Sequence, residues 1–216
     1  MCGIVGSKSR ESGFDLYQQN LTRGFYSSSV MGIYPGGFLV TKKEGSLTEK
    51  DVPTGADYYL FHSRGPTVET NSFDWDDNHP FQYGRFIVAH NGIIENANSL
   101  YGGDIGVDSR VIPYIIDQEY RNIKNANQSI LNSVNKLQGT FGLWIFDTTS
   151  KQIRIVRHDT TLFYYGTEFS SSNPGYMKEV PQDKIFKFDI RSNTITDGED
   201  IKLTKKPKYF ISSNLK

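Results

Sequence analysis

Short blocks of aromatic and β-branched residues occupy both ends of the chain, and helical spacing occupies the middle. Cys2–Gly6 reads as a short buried strand. Phe14, Leu16, Tyr17 and Leu21 are loosely helical, and Gly24 is placed to close that helix. Val30–Tyr34 and Phe38–Thr41 flank Pro35-Gly36-Gly37, a strand–turn–strand pattern. Tyr58–His62 and Phe86–His90 predict two further strands. Gly65 to Tyr83, between them, is polar and irregular and predicts a long loop. Ser109–Tyr120 has Val111, Ile112, Ile115 and Ile116 on a common side, although Pro113 requires a kink or a late start. Ile130, Leu131, Val134 and Leu137 give clear helical spacing, with Gly139 suited to the position just past the helix end. Phe141–Phe146, Ile153–Val156, Leu162–Tyr165 and Ile185–Phe188 then predict strands again. Strands, a few central helices, then strands fit helices packed on antiparallel sheets, an α+β fold, better than alternating βαβ units.

The chain has 216 residues, which predicts a single domain over 2–216, its core covering about 2–190. A basic tail, 202–216, carries Lys202, Lys205, Lys206 and Lys208 and reads as a solvated terminus. Basic and acidic residues number 24 each, so there is no basic excess to favour nucleic acid or a membrane surface. Mean hydropathy is −0.49, and no apolar run approaches the roughly 20 residues of a membrane span. Cys2 is the only cysteine, so no internal disulfide framework is expected. No signal peptide precedes it, and a reducing cytoplasm is the expected location.

A lone cysteine beside Ile4-Val5 is most often a small buried hydrophobe. Its position supports a second reading. Removal of Met1 would leave a residue carrying both a thiol and a free α-amine. A thiol titrates at about 8.5 and an α-amine at about 7.7–8.0, so one residue supplies nucleophile and general base together.

Three segments keep it company. Phe61-His62-Ser63-Arg64-Gly65-Pro66-Thr67 ends a strand and opens the long loop. Arg64 offers a planar fork suited to a carboxylate, against the plain alternative of a surface ion pair, and His62 reads as a packed histidine. Val88-Ala89-His90-Asn91-Gly92 is followed by Ile93-Ile94-Glu95-Asn96, which reads as turn or helix rather than the second arm of a hairpin. A strand ending in Asn91-Gly92 can present a carboxamide and an unhindered N–H together, the two donors an oxyanion hole requires. Asp108 precedes a predicted helix, where it could be an N-cap or hold a ligand ammonium group.

Together with Cys2 these segments resemble the class II glutamine amidotransferases, whose glutaminase domain is an N-terminal-nucleophile hydrolase. Met1-Cys2-Gly3-Ile4-Val5-Gly6 is similar to the family's start, His62-Ser63-Arg64-Gly65-Pro66-Thr67 to its His-Thr-Arg-x-x-Thr motif, and Asn78-His79-Pro80-Phe81 and His90–Asn96 to its His-Pro and His-Asn-Gly-Ile-Ile-Glu-Asn segments. Arg23-Gly24 and Ser27–Gly32 resemble a looser Arg-Gly-Tyr-Asp-Ser-Ala-Gly segment, Asp108-Ser109 its Asp-Ser/Thr-Glu, and Gly139-Thr140-Phe141-Gly142 the strand that follows. The resemblance implies a four-layer α/β/β/α sandwich of two antiparallel sheets. It also implies a Cys2 γ-glutamyl thioester, an oxyanion hole at Asn91 and Gly92, and a glutamine pocket in which Arg64 binds the α-carboxylate and Asp108 the α-ammonium. Thr67 would shape that pocket and Arg23 would position the N-terminal end. No cofactor or metal is implied, and Asp74, Asp76, Asp77 and His79 read as a polar loop. The products would be glutamate and ammonia, the ammonia passing to a separate synthase partner or the domain acting as a stand-alone glutaminase. Two other readings keep the fold: an amidohydrolase for another γ-glutamyl amide, and an inactive binding domain. Gly65, Val68, Arg110 and Ser27-Ser28-Ser29 depart from the family's pattern.

Overall fold

The computed structural model describes residues 2–65, 73–192, 194–196 and 198–203. The first half builds β1 (Gly3–Ser7), α1 (Arg10–Asn20), β2 (Ser27–Tyr34), β3 (Gly37–Glu44), β4 (Tyr58–Arg64), β5 (Phe81–Tyr83) and β6 (Phe86–Ile94). Helices α2 (Ala97–Tyr101), α3 (Val111–Ile123) and α4 (Ala126–Val134) follow. The second half adds β7 (Gly139–Asp147), β8 (Gln152–His158), β9 (Phe163–Tyr165), β10 (Glu168–Ser170), β11 (Lys178–Glu179), β12 (Ile185–Asp189) and β13 (Thr194–Thr196). Among the described residues no helix is long and apolar enough to cross a membrane.

These strands form two antiparallel sheets, in the orders β11-β9-β10-β1-β4-β2-β3 and β13-β12-β8-β7-β6-β5. Side chains that alternate along each strand divide between different layers of the core. Ile4, Met31, Leu60, Ala89, Trp144, Phe146 and Ile155 fill the space between the sheets. Val5, Val30, Tyr59 and Phe61 point the other way, against Leu16 and Tyr17 of α1. Val88, Phe141, Leu143 and Ile145 face α3 and α4. Three interlayer spaces make a four-layer α/β/β/α sandwich. The central strands are therefore covered on both faces, which explains why their sequences read as apolar runs rather than clean alternation. All nine residues of β7 are buried.

Local chemistry sets the helix ends. Ser9 caps α1, its hydroxyl accepting the Ser12 N–H at 3.1 Å, and Gly13 gives room for the Phe61 ring. Helix α3 begins at Val111, after a 3-10 turn over Asp108–Arg110, so Pro113 falls in its first turn where no intrahelical donor is required and no kink is needed. Asn125 caps α4 through Gln128.

Several sequence expectations need correction. β6 does not stop at His90: it runs on through Asn91 and Gly92 to Ile94, paired with β7 throughout. The loop expected between Gly65 and Tyr83 contains the short strand β5, and β2 starts at Ser27, three residues before the expected Val30. α4 ends at Val134, so Gly139 serves the sheet and not the helix. A Cβ there, at φ 118°, would press on the Ile93 carbonyl. Strands β10, β11 and β13 are too short, at two or three residues, to give a pattern of their own.

Candidate active site

Cys2 stands immediately before β1, a central strand bounded by β4 and β10. Its Sγ lies 3.9 Å from the Gly65 carbonyl oxygen, just past the end of β4. Burial pushes the thiol up from its ordinary pKa. A backbone hydrogen bond at Gly65 and the Arg64 guanidinium oppose that rise, and the Asp108 carboxylate adds to it. The same sulfur therefore feels both charges the sequence singled out for a zwitterionic ligand.

Arg23 donates from Nε to the Cys2 carbonyl at 2.9 Å and reaches the Ser171 carbonyl with Nη1 at 3.4 Å. The glycine after it permits a close backbone crossing: at φ 158°, a Cβ on Gly24 would lie 2.9 Å from the Arg64 carbonyl carbon and still nearer to Gly65. Ser171 completes the grip on β1. Its N–H donates to the Ile4 carbonyl at 2.9 Å, and its hydroxyl accepts the Ile4 N–H at 3.1 Å.

Asn91 projects from the second sheet toward this end of the first. In the amide orientation that satisfies both of its ends, Nδ2 donates to the Cys2 carbonyl at 2.8 Å and Oδ1 accepts from Arg23 Nη2 at 3.2 Å. Thr160 Oγ1 and Ser171 Oγ lie 3.4 and 3.5 Å from the same carboxamide. Gly92, beside it, has φ 144°. A Cβ there would lie 2.7 Å from the Thr140 carbonyl carbon and 2.9 Å from His90 Nε2. No other residue fits.

His90 is buried beneath the pair. Its Nε2 meets the Thr140 carbonyl at 3.1 Å and its Nδ1 meets Ser109 Oγ at 2.8 Å. A carbonyl only accepts, so the proton of the neutral ring sits on Nε2. Asp108 is not an N-cap of α3. Its Oδ2 accepts the Ile94 N–H at 2.7 Å and its Oδ1 the Ser109 N–H at 2.8 Å, tying the turn before α3 to the end of β6.

Arg64 closes the set. Its Nη1 donates to the Asp77 carbonyl at 2.9 Å and to Asn78 Oδ1 at 3.1 Å, and its guanidinium lies 5.6 Å from the Tyr26 ring centroid. Among the described residues no carboxylate stands within ion-pair distance of it. The surface ion pair that the sequence left open is thus not formed there. Thr67 lies outside the described residues. His62 and His79 stack at 4.0 Å behind Arg64, and burial holds His62 down at about 3 and His79 well below the usual histidine range.

Arg110, a departure from the family's acidic residue, has a visible task. It pairs with Asp77 at 3.1 Å and donates to the Asp76 carbonyl at 2.8 Å, bracing the loop that seats Arg64. Ser27, at one of the other departures, donates to Asn78 in the same brace. Ser171 and Thr160 are site neighbours that the sequence did not offer. They lie in short irregular segments with no motif.

No family model matches the chain. It is 32% identical over 162 residues to the isomerizing glutamine–fructose-6-phosphate aminotransferase of Aquifex aeolicus (strain VF5), covering 65% of this chain and 26% of that protein. It is 25% identical over 186 residues to the enzyme of the same name from Pyrococcus horikoshii, covering 75% and 30%. Its fold is similar to glutamine phosphoribosylpyrophosphate amidotransferase from B. subtilis, with a TM-score of 0.73, 16% identity, and coverage of 92% of this chain and 49% of that one. These likenesses agree with the resemblance to glutamine amidotransferases that the motifs carry. The chain spans about a quarter of the length of the curated relatives it matches. Its four-layer sandwich is the fold of the B. subtilis neighbour.

Proposed function

We propose that this chain hydrolyses the side-chain amide of glutamine through a thioester on Cys2 and releases glutamate and ammonia. The observation that supports the reading is the meeting of Cys2, Arg23 and Asn91, where the Asn91 carboxamide and the Arg23 guanidinium both reach the Cys2 carbonyl. Burial of the thiol raises its pKa, so the nucleophile requires a base close by. Once Met1 is removed, the α-amine of Cys2 is that base.

The steps balance without a cofactor. The amine takes the thiol proton as sulfur attacks the amide carbon. Electrons move onto the amide oxygen, which Asn91 Nδ2 and the Gly92 N–H stabilise. The ammonium returns its proton to the departing nitrogen, and ammonia leaves as the thioester forms. Water then attacks the thioester, the amine again accepts a proton, and glutamate departs with the thiol restored. Arg64 binds the substrate α-carboxylate with the donors not committed to the 77–78 segment, and Asp108 binds its α-ammonium. Thr67 lines the same pocket. Arg23 holds the Cys2 carbonyl so that the sulfur keeps its aim.

The relatives' name pairs glutamine with an acceptor, and this chain covers only about a quarter of their length. The ammonia is accordingly passed to a synthase partner or a synthase domain, in the cytoplasm, with residues 2–216 acting as one glutaminase domain. Purified protein should release glutamate from glutamine, and Cys2→Ala should abolish it. A glutamine-analogue electrophile should label residue 2 alone, and intact mass should show Met1 gone. Full activity in Cys2→Ala would overturn the reading.

A further inference from the structure

A cavity of about 670 Å³ opens where the edge strands β3 and β5 of the two sheets splay apart, roofed by the loop before β5 and by α2 and α3. That volume is within the range of small-molecule sites. None of Cys2, Arg64, Asn91, Gly92 or Asp108 lines it. Its rim carries four large rings that remain open to solvent: Trp75 at 50% exposure, Tyr101 at 44%, Tyr83 at 39% and Phe38 at 36%. Tyr114 braces two of them edge-on, at 5.2 Å from Tyr83 and 5.0 Å from Tyr101, leaving the set ordered rather than collapsed.

Lys42 stands among these rings. Its Nζ donates to the Trp75 carbonyl at 3.1 Å and the Asn78 carbonyl at 2.6 Å, and lies 5.7 Å from the Trp75 ring and 5.9 Å from the Phe81 ring. An ammonium has three donors, and two are used. Among the described residues no carboxylate forms an ion pair with it. Burial pushes its pKa down to about 8, and the nearby Asp76 carboxylate opposes that fall. Arg110 lies 5.7 Å from the same Phe81 ring. Asp76, beside Lys42, and Asp104 also line the cavity and are acceptors for amino or hydroxyl groups of the ligand.

We propose that this cavity is a second ligand site, distinct from the glutamine pocket, which takes a flat aromatic ring bearing one anionic group. The anion meets the remaining donor of Lys42, and the ring stacks on the exposed faces of Trp75 and Tyr101. Nucleoside monophosphates and aromatic carboxylates share that chemistry, and the experiment separates them.

The chain contains two tryptophans, and the other, Trp144, is fully buried between the sheets, so a ligand-dependent change in emission reports on Trp75. Full-length protein is titrated with adenosine monophosphate, 4-hydroxybenzoate, ribose 5-phosphate and inorganic phosphate, following emission and heat. The expected result is saturable quenching by one of the two aromatic anions and none by ribose 5-phosphate or phosphate. Lys42→Met and Tyr101→Ala should each weaken that binding about tenfold or more, the size of one lost charge-assisted or stacking contact. Tyr101 is exposed on a short surface helix, so Tyr101→Ala tests the site even where Lys42→Met disturbs the loop. Absence of saturation by both aromatic anions, equal binding of ribose 5-phosphate or phosphate, or unchanged affinity in Tyr101→Ala would overturn the assignment. Because the readout is binding, its failure is separate from any failure of glutamine hydrolysis.

Discussion

Replacing Gly92 by alanine tests the oxyanion assignment at its tightest point. The added Cβ would sit 2.7 Å from the Thr140 carbonyl carbon and 2.9 Å from His90 Nε2, against an ordinary non-bonded separation of about 3.5 Å. Strand β6 would therefore have to withdraw from β7 by the order of 1 Å. The backbone at φ 144° adds about 1–3 kcal/mol of conformational cost for a residue with a side chain. Movement of that size at a reacting centre costs roughly 100-fold in rate, and loss of one oxyanion donor costs about 100- to 1,000-fold. The expected outcome is a fall of at least about 100-fold in kcat for glutamine, with KM little changed because Arg64 and Asp108 are untouched. Gly142→Ala is the control. It faces Asn91 across the ladder, yet its Cβ would come no nearer than 3.2 Å, to the end of the Thr160 side chain. Its kcat should stay within about tenfold of the parent, a loss of about 1.4 kcal/mol or less. Steady-state glutamate release, with circular dichroism to confirm folding, measures both. A Gly92→Ala enzyme that folds and keeps kcat within threefold of the parent would refute the oxyanion role, since about 0.6 kcal/mol cannot accommodate a displaced donor.

Asp108→Asn keeps an acceptor for the Ile94 N–H but loses the charge, so KM should rise about tenfold or more for glutamine and hardly at all for its analogue lacking the α-amine; equal effects on both would exclude an ammonium contact. Arg64→Lys retains charge without the planar fork, and KM for glutamine should increase about 10-fold or more while the maximal rate of thioester formation, followed by rapid quench, changes little. His62 has its folded pKa depressed to about 3 from an ordinary 6.5, so the unfolded chain binds more protons between those values. Stability is then fully present above about 6.5 and falls as the pH drops toward 3. Urea midpoints measured from pH 7 to pH 4 should decline, and His62→Phe, which keeps the ring against His79, should decline less steeply.

The layered architecture was readable wherever strands are long. Phe86–His90 and Phe141–Phe146 announce themselves by β-branched and aromatic content, and they are the core of the second sheet. The run of β6 past His90 was not readable, because Asn91-Gly92 ordinarily signals a turn and here a continuous ladder to β7 overrides it. Asp108 illustrates the same limit. Its position before a helix suggested a cap, and only the return of β6 to within 2.7 Å reveals its true partner, the Ile94 N–H. Cys2, Arg64, Asn91 and Gly92 were singled out by their combined likeness to a family's motifs, since each alone admits a structural reading. Ser171 and Thr160 could not, since hydroxyl residues in irregular segments look alike until tertiary contact gives them neighbours. Arg110 needed the structure for a different reason, as its partners Asp76 and Asp77 lie more than thirty positions earlier in the chain.

Strand β1 is hemmed by β10 on one flank and β4 on the other, with Arg23 fastened across its entry. An affinity handle or reporter grafted ahead of Cys2 would have to thread out through that crowded gap, and its linkage would consume the nitrogen that the proposed mechanism uses as its base. Recombinant versions should carry such additions at the carboxyl end, and a natural fusion to an ammonia-consuming enzyme faces the same one-sided choice.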